Sequence, residues 1–121
     1  MKKILVIDDD VSIVRLVTQH LKASGYEVFG ANDAYQGFKK AKETQPDLIL
    51  LDLKMPAGGG VHTFENLKSS IYTSNIPVII FTAFQADKVK KLVMEMGADA
   101  FLPKPFSSTD LLNKIKEFIG D

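Results

Sequence analysis

Leu48-Ile49-Leu50-Leu51 is an unbroken apolar run held between Asp47 and Asp52. Side chains of a strand alternate between two faces, so a strand that is apolar at every position must be covered on both; the run predicts a central strand of a parallel sheet. Asp52 then stands at its carboxyl end. The loop that follows, Leu53-Lys54-Met55-Pro56-Ala57-Gly58-Gly59-Gly60, stops the strand and lets backbone approach a ligand closely. Open α/β sheets bind their ligands at this carboxyl edge.

The same kind of segment recurs along the chain, each time followed by a segment of helical period. Ile4 to Ile7 is a buried strand that runs into Asp8-Asp9-Asp10, and Ile13, Val17 and Leu21 then recur every fourth residue, with Val14 beside them. Asp10 is placed to cap this helix and Gly25 to end it. Tyr26-Glu27-Val28-Phe29 alternates, which suits an edge strand. A second helix from about Ala34 turns Phe38 and Ala41 inward and is closed by Pro46. After the glycines, Val61, Phe64, Leu67 and Ile71 mark a third helix. Ile76 to Phe81 is a fourth strand, entered through Pro77 and ending at Thr82. Val89, Leu92, Val93 and Met96 line a fourth helix stopped by Gly97. Ala98 to Leu102 is the last strand, broken by Pro103-Lys104-Pro105. Ser107 and Asp110 have capping-box spacing before a final helix that carries Leu111, Leu112, Ile115, Phe118 and Ile119.

Strand and helix thus alternate five times over 121 residues with short connections, which predicts one α/β domain: a five-stranded parallel sheet, doubly wound, with helices on both faces. Right-handed crossovers then bring every strand's carboxyl end to one edge. Asp8 and Asp9, Asp52, Thr82 and Lys104 gather there.

Composition narrows what such an edge can serve. The 15 basic residues balance the 15 acidic ones, so no net field draws the domain to nucleic acid or to an anionic membrane. The absence of cysteine excludes disulfides, thiol catalysis and zinc-thiolate sites. The apolar runs are too short to span a bilayer and the opening segment lacks the pattern of a signal peptide, so a soluble, cytoplasmic protein is expected. His20 and His62 fall on helix surfaces without partners at ligand spacing.

Carboxylates meeting at one edge repel: at about 4 Å and an effective dielectric of roughly 20, each pair costs on the order of 4 kcal/mol. A divalent cation removes that cost. Oxygen ligands without His or Cys favour a hard ion such as Mg²⁺, which takes one or two protein carboxylates, a carbonyl and several waters. Asp9 and Asp52 are the expected direct ligands, Asp8 acts through water, and the backbone carbonyl of Lys54 completes the set. A lysine and a threonine hydroxyl facing a metal-bound carboxylate are the groups that stabilise a phosphoryl passing to that carboxylate. Asp52 is the acceptor in this reading, since aspartate forms an aspartyl phosphate. Each residue alone has an ordinary explanation as cap, turn former or solvated charge; it is their joint fall at four strand ends that points to chemistry.

From Lys2 to about Ile119 the chain resembles a response-regulator receiver domain of two-component signalling, similar to the chemotaxis regulators. The marks are Asp8-Asp9 after the first strand, Asp52 followed by Met55-Pro56 and Gly60, Thr82-Ala83, Gly97-Ala98-Asp99, and Lys104-Pro105. The resemblance implies the flavodoxin-like strand order 2-1-3-4-5. It further implies that Asp52 takes a phosphoryl group from a phosphohistidine of a histidine kinase or phosphotransfer protein in a Mg²⁺-dependent step. Asp8, Asp9 and Asp52 then belong to the metal site, and Thr82 and Lys104 bind the phosphoryl group. Such a domain catalyses only its own phosphorylation and dephosphorylation. Thr82 and Phe101 are the implied switch residues, reshaping the surface of the fourth helix, fifth strand and fifth helix for a downstream protein or output domain, and that face is also the implied homodimer surface. The Lys104-Pro105 bond is expected to be cis.

Some positions depart from the commonest pattern. Phe101 stands where tyrosine is frequent, so a switch there rests on packing rather than on a phenolic hydroxyl. Lys54 and Phe84 lie where family side chains influence the access of hydrolytic water, and bulky Phe84 is expected to slow loss of the phosphoryl group.

Three other readings compete. A pseudo-receiver would keep the fold as an interaction module without phosphorylation, yet all five site residues are present. A haloacid-dehalogenase-like phosphatase would want a second acid where Lys54 stands. A flavodoxin-like electron carrier would need a hydroxyl-rich phosphate loop where Asp8, Asp9 and Asp10 lie. With the final helix at the end of the chain, residues 1–121 are expected to form a single receiver domain without an output domain.

Overall fold

A computed structural model describes residues 1–53, 59–82 and 86–120. The strands are β1 (Lys3–Ile7), β2 (Glu27–Ala31), β3 (Leu48–Asp52), β4 (Val78–Thr82) and β5 (Ala100–Pro103). The helices are α1 (Val11–Ala23), α2 (Ala34–Thr44), α3 (Gly59–Ser69), α4 (Ala86–Glu95) and α5 (Ser108–Ile119). The strands form one parallel sheet in the order β2-β1-β3-β4-β5, the arrangement implied by the resemblance.

The central run behaves as its sequence requires. All five residues of β3 are buried, and so are all five of β4. Odd and even positions feed two separate cores. Leu5, Ile7, Ile49, Leu51, Val78 and Ile80 pack with Ala41, Phe64, Leu67 and Val93, beneath α2, α3 and α4. Ile4, Val6, Leu48, Leu50, Ile79 and Phe81 pack with Val17, Leu21, Leu111 and Ile115, beneath α1 and α5. Gly37 lets α2 lie directly on β1, since a Cβ there would come within 2.8 Å of the Ile7 side chain.

Local chemistry sets the helix ends. Asp10 accepts from Ser12 N and Ile13 N at the start of α1, and Ser107 and Asp110 form a reciprocal capping box at the start of α5. Asp33 caps α2 by accepting from Gln36 N, a cap the periodicity alone did not reveal. Two helices stop in the same way. After α1, Gly25 (φ 96°) and Tyr26 donate to Lys22 O and Leu21 O; after α4, Gly97 (φ 100°) and Ala98 donate to Met94 O and Val93 O. Both are Schellman turns, whose left-handed residue favours glycine.

Several expectations need correction. β4 begins at Val78 rather than Ile76: Pro77 has no N–H to give, and only its carbonyl joins the sheet, accepting from Ile49 N. β2 begins at Glu27 rather than Tyr26 and β5 at Ala100 rather than Ala98, because the Schellman turns occupy Gly25-Tyr26 and Gly97-Ala98. Ile71 is 85% exposed, since α3 ends at Ser69 before the fourth position of the repeat is reached. Leu92 is 48% exposed, while Val93 takes the core position. No helix among the described residues is long and apolar enough to cross a membrane.

Candidate functional site

The parallel strands bring four of their carboxyl ends together. Asp8 follows the last residue of β1, its main-chain N–H held by Ala31 O at 3.1 Å, and its side chain is fully buried. Its Oδ1 accepts from Asp10 N at 2.9 Å and its Oδ2 accepts from Lys104 Nζ at 2.9 Å. Asp52, the last residue of β3, is also buried, with its Oδ2 3.6 Å from the same ammonium. Asp9 is exposed. Asp8, Asp9 and Asp52 each bring one carboxylate oxygen within 4.8 Å of the others.

Thr82 ends β4 and is buried, and its carbonyl accepts from Lys104 N at 2.9 Å, which fixes the backbone of the lysine beside the site. The Lys104-Pro105 peptide is cis, as the resemblance implied. Phe101 is half-buried and packs against the core under α2, α3 and α4. Lys54 and Phe84 lie outside the described residues. His20 and His62 are exposed, as their helix positions suggested.

Burial pushes the Asp8 carboxyl above the ordinary carboxylate range. The Asp10 N–H and the Lys104 ammonium pull it back, and the neighbouring Asp52 charge adds to the rise. Two buried carboxylates and a third at the rim make a hard, all-oxygen donor set that a single divalent cation can bridge, while the Lys104 ammonium pairs with the buried two. These residues fit Mg²⁺.

One contact was not anticipated. Lys104 Nζ lies 4.7 Å from the centre of the buried Phe81 ring. The parallel register prepares it: Asp52 pairs with Phe81 and Phe81 with Leu102, so these three side chains share one face of the sheet, and Lys104 follows just beyond the end of β5. Alternation gives the face of each residue; only the register shows which neighbours meet.

The sequence profile of the response regulator receiver domain matches residues 4–116. The chain belongs to that family. It is 37% identical over 118 residues to the alkaline phosphatase synthesis transcriptional regulatory protein PhoP of Bacillus subtilis, covering 98% of this chain and 48% of that protein. With the phosphate regulon transcriptional regulatory protein PhoB of Escherichia coli the identity is 35% over 115 residues, 95% of this chain and 50% of the other. The chain therefore spans about half the length of these curated relatives. Among solved structures, the chemotaxis response regulator CheY4 of Vibrio cholerae superimposes with a TM-score of 0.90 at 29% identity, over 98% of each chain. A CheY-like receiver domain protein of Methanospirillum hungatei gives 0.88 at 33% identity, over 97% of this chain and 92% of that one. Receiver domains are signalling domains of two-component systems rather than enzymes acting on a separate substrate, and they are generally Mg²⁺-dependent.

Proposed function

We propose that this receiver domain accepts a phosphoryl group on Asp52 from the phosphohistidine of a sensor histidine kinase or a phosphotransfer protein. The observation that carries the reading is the meeting of Asp8, Asp9 and Asp52 oxygens within 4.8 Å, with the Lys104 ammonium reaching both buried carboxylates. An Asp52 carboxylate oxygen attacks phosphorus, the P–N bond to the donor imidazole breaks, and the imidazole leaves with the electron pair. Lys104 shifts its hydrogen bond from the Asp8 carboxylate to a phosphoryl oxygen, and the Thr82 hydroxyl donates to another. Asp9 and Asp52 would hold Mg²⁺ directly and Asp8 through water, and the backbone carbonyl of Lys54 would be the further ligand in this reading. When bound, the ion neutralises charge on the carboxylates and on the incoming phosphoryl group.

The output follows from the same bonds. Engagement of Thr82 frees space beneath β5, Phe101 turns inward, and the surface of α4, β5 and α5 changes in population rather than by creation of a new fold. That surface meets a downstream protein or an attached output domain, or a second copy of the domain. The balanced net charge of residues 1–121 supports protein contacts rather than direct nucleic-acid binding by this unit, and a cytoplasmic location matches a kinase donor.

Beryllofluoride with Mg²⁺, a mimic of a phosphoryl group on a carboxylate, tests this by amide NMR. The expected result is saturable shifts at Asp52, Thr82 and Lys104 that extend to Phe101 and the α5 face, all abolished in Asp52→Asn. A spectrum unmoved by beryllofluoride would contradict the reading.

A further inference from the structure

Lys104 carries a flexible four-carbon stem, yet its ammonium must stand where a phosphoryl group on Asp52 would present its oxygens. The two carboxylates alone do not fix it there, because the shorter contact is with Asp8 at 2.9 Å and the contact with Asp52 is 3.6 Å. The third contact is aromatic. The Phe81 ring lies under the ammonium at 4.7 Å, is 1% exposed, and is braced edge-on by Phe106 at 5.9 Å with an interplanar angle of 62°. Phe81 is also the direct cross-strand neighbour of Asp52, on the same face of the sheet.

We propose that Phe81 is a positioning residue for phosphoryl transfer, its ring face acting as a fixed seat for the Lys104 ammonium beside Asp52. This rests on the reading above, in which Lys104 acts on a phosphoryl group at Asp52. A ring face attracts a cation through its quadrupole, most strongly where water is excluded, and the Lys104 side chain here is 18% exposed. It also offers no oxygen that would compete with a phosphoryl group for the ammonium's N–H donors. The seat thus holds the charge in place before the reaction while leaving its hydrogen bonds transferable, which is the preorganisation that electrostatic catalysis needs. An aliphatic residue of similar bulk would fill the core equally well and lack this effect.

The test replaces Phe81 with phenylalanines carrying one, two and three ring fluorines, which keep the shape and progressively withdraw the negative ring face, and separately with leucine. In the unphosphorylated wild type, the Lys104 ε-methylene protons should show an upfield ring-current shift that Phe81→Leu removes. The rate of Asp52 phosphorylation by acetyl phosphate with Mg²⁺ should fall stepwise with fluorine count, by roughly 3- to 10-fold across the series, while a packing role alone would leave the rate flat. A flat series in an active protein, or no ring-current shift in the wild type, would overturn the proposal. A wild type that takes up no phosphoryl group on Asp52 would instead overturn the underlying reading, and this proposal with it.

Discussion

Asp8 shows how much of the site's behaviour resides in single residues. Its carboxyl is buried beside the negative Asp52, and its pKa is raised even with the Lys104 ammonium and the Asp10 N–H in contact. The unfolded chain ionises this aspartate near about pH 3.9, the folded protein only at higher pH, so the folded state binds the proton more tightly. Below the unfolded value both states are protonated and the group does not penalise folding. As pH rises through that value and then through the raised folded one, stability is lost. Asp8→Asn is therefore expected to melt higher than wild type at neutral pH without divalent cations, with the gap closing toward pH 4. Thermal unfolding across that range checks it, and a variant that melts lower at pH 7 would contradict the burial argument. The candidates Asp8, Asp9, Asp52, Thr82 and Lys104 were legible because a parallel sheet fixes where strand ends go. Phe81 was not, because an apolar residue inside an apolar run reads as core until the register shows a lysine above it.

The elements hold these residues in place from a distance. On the α3 and α4 side, Asp99 lies in the short turn before β5. Its Oδ2 accepts from Val78 N at 2.8 Å, at the start of β4, and from Lys68 Nζ at 3.0 Å, near the end of α3. One carboxylate thus ties the amino end of the strand that carries Thr82 to a neighbouring helix. Asp99→Ala leaves the part-buried Val78 N–H and the Lys68 ammonium without this acceptor, and a loss of about 1–3 kcal/mol is expected by urea unfolding; a change below a few tenths would show the clasp to be idle. The same scale explains where periodicity misled. A 3.6-residue repeat predicts which residues share a stripe, but not where the helix stops or how wide a stripe the sheet covers. Ile71 continues the α3 repeat past the last helical turn, and Leu92 lies on the margin of a stripe of which Val93 is the fully buried member. Strand boundaries shifted for a related reason, since the Schellman turns consume two residues that look strand-like by composition.

At the scale of the whole molecule, β1, β3, β4 and β5 are adjacent and parallel, and their carboxyl ends build one site from residues as far apart as Asp8 and Lys104. That long-range pairing makes the fold and the proposed chemistry inseparable: the sheet order that buries two apolar cores also sets an ammonium against two carboxylates. The alternation of apolar runs and amphipathic segments made the α/β class legible without any structure, and the strand order came from the resemblance. The geometry of the loop after β3, which includes Lys54, lies outside the described residues. The most direct test of the account is intact-mass spectrometry after incubation with acetyl phosphate, with and without Mg²⁺, on wild type and Asp52→Asn. One added phosphoryl group is expected in the wild type with Mg²⁺, and none when either the cation or the Asp52 carboxylate is removed. An unmodified wild type, or an adduct that persists in Asp52→Asn, would contradict it.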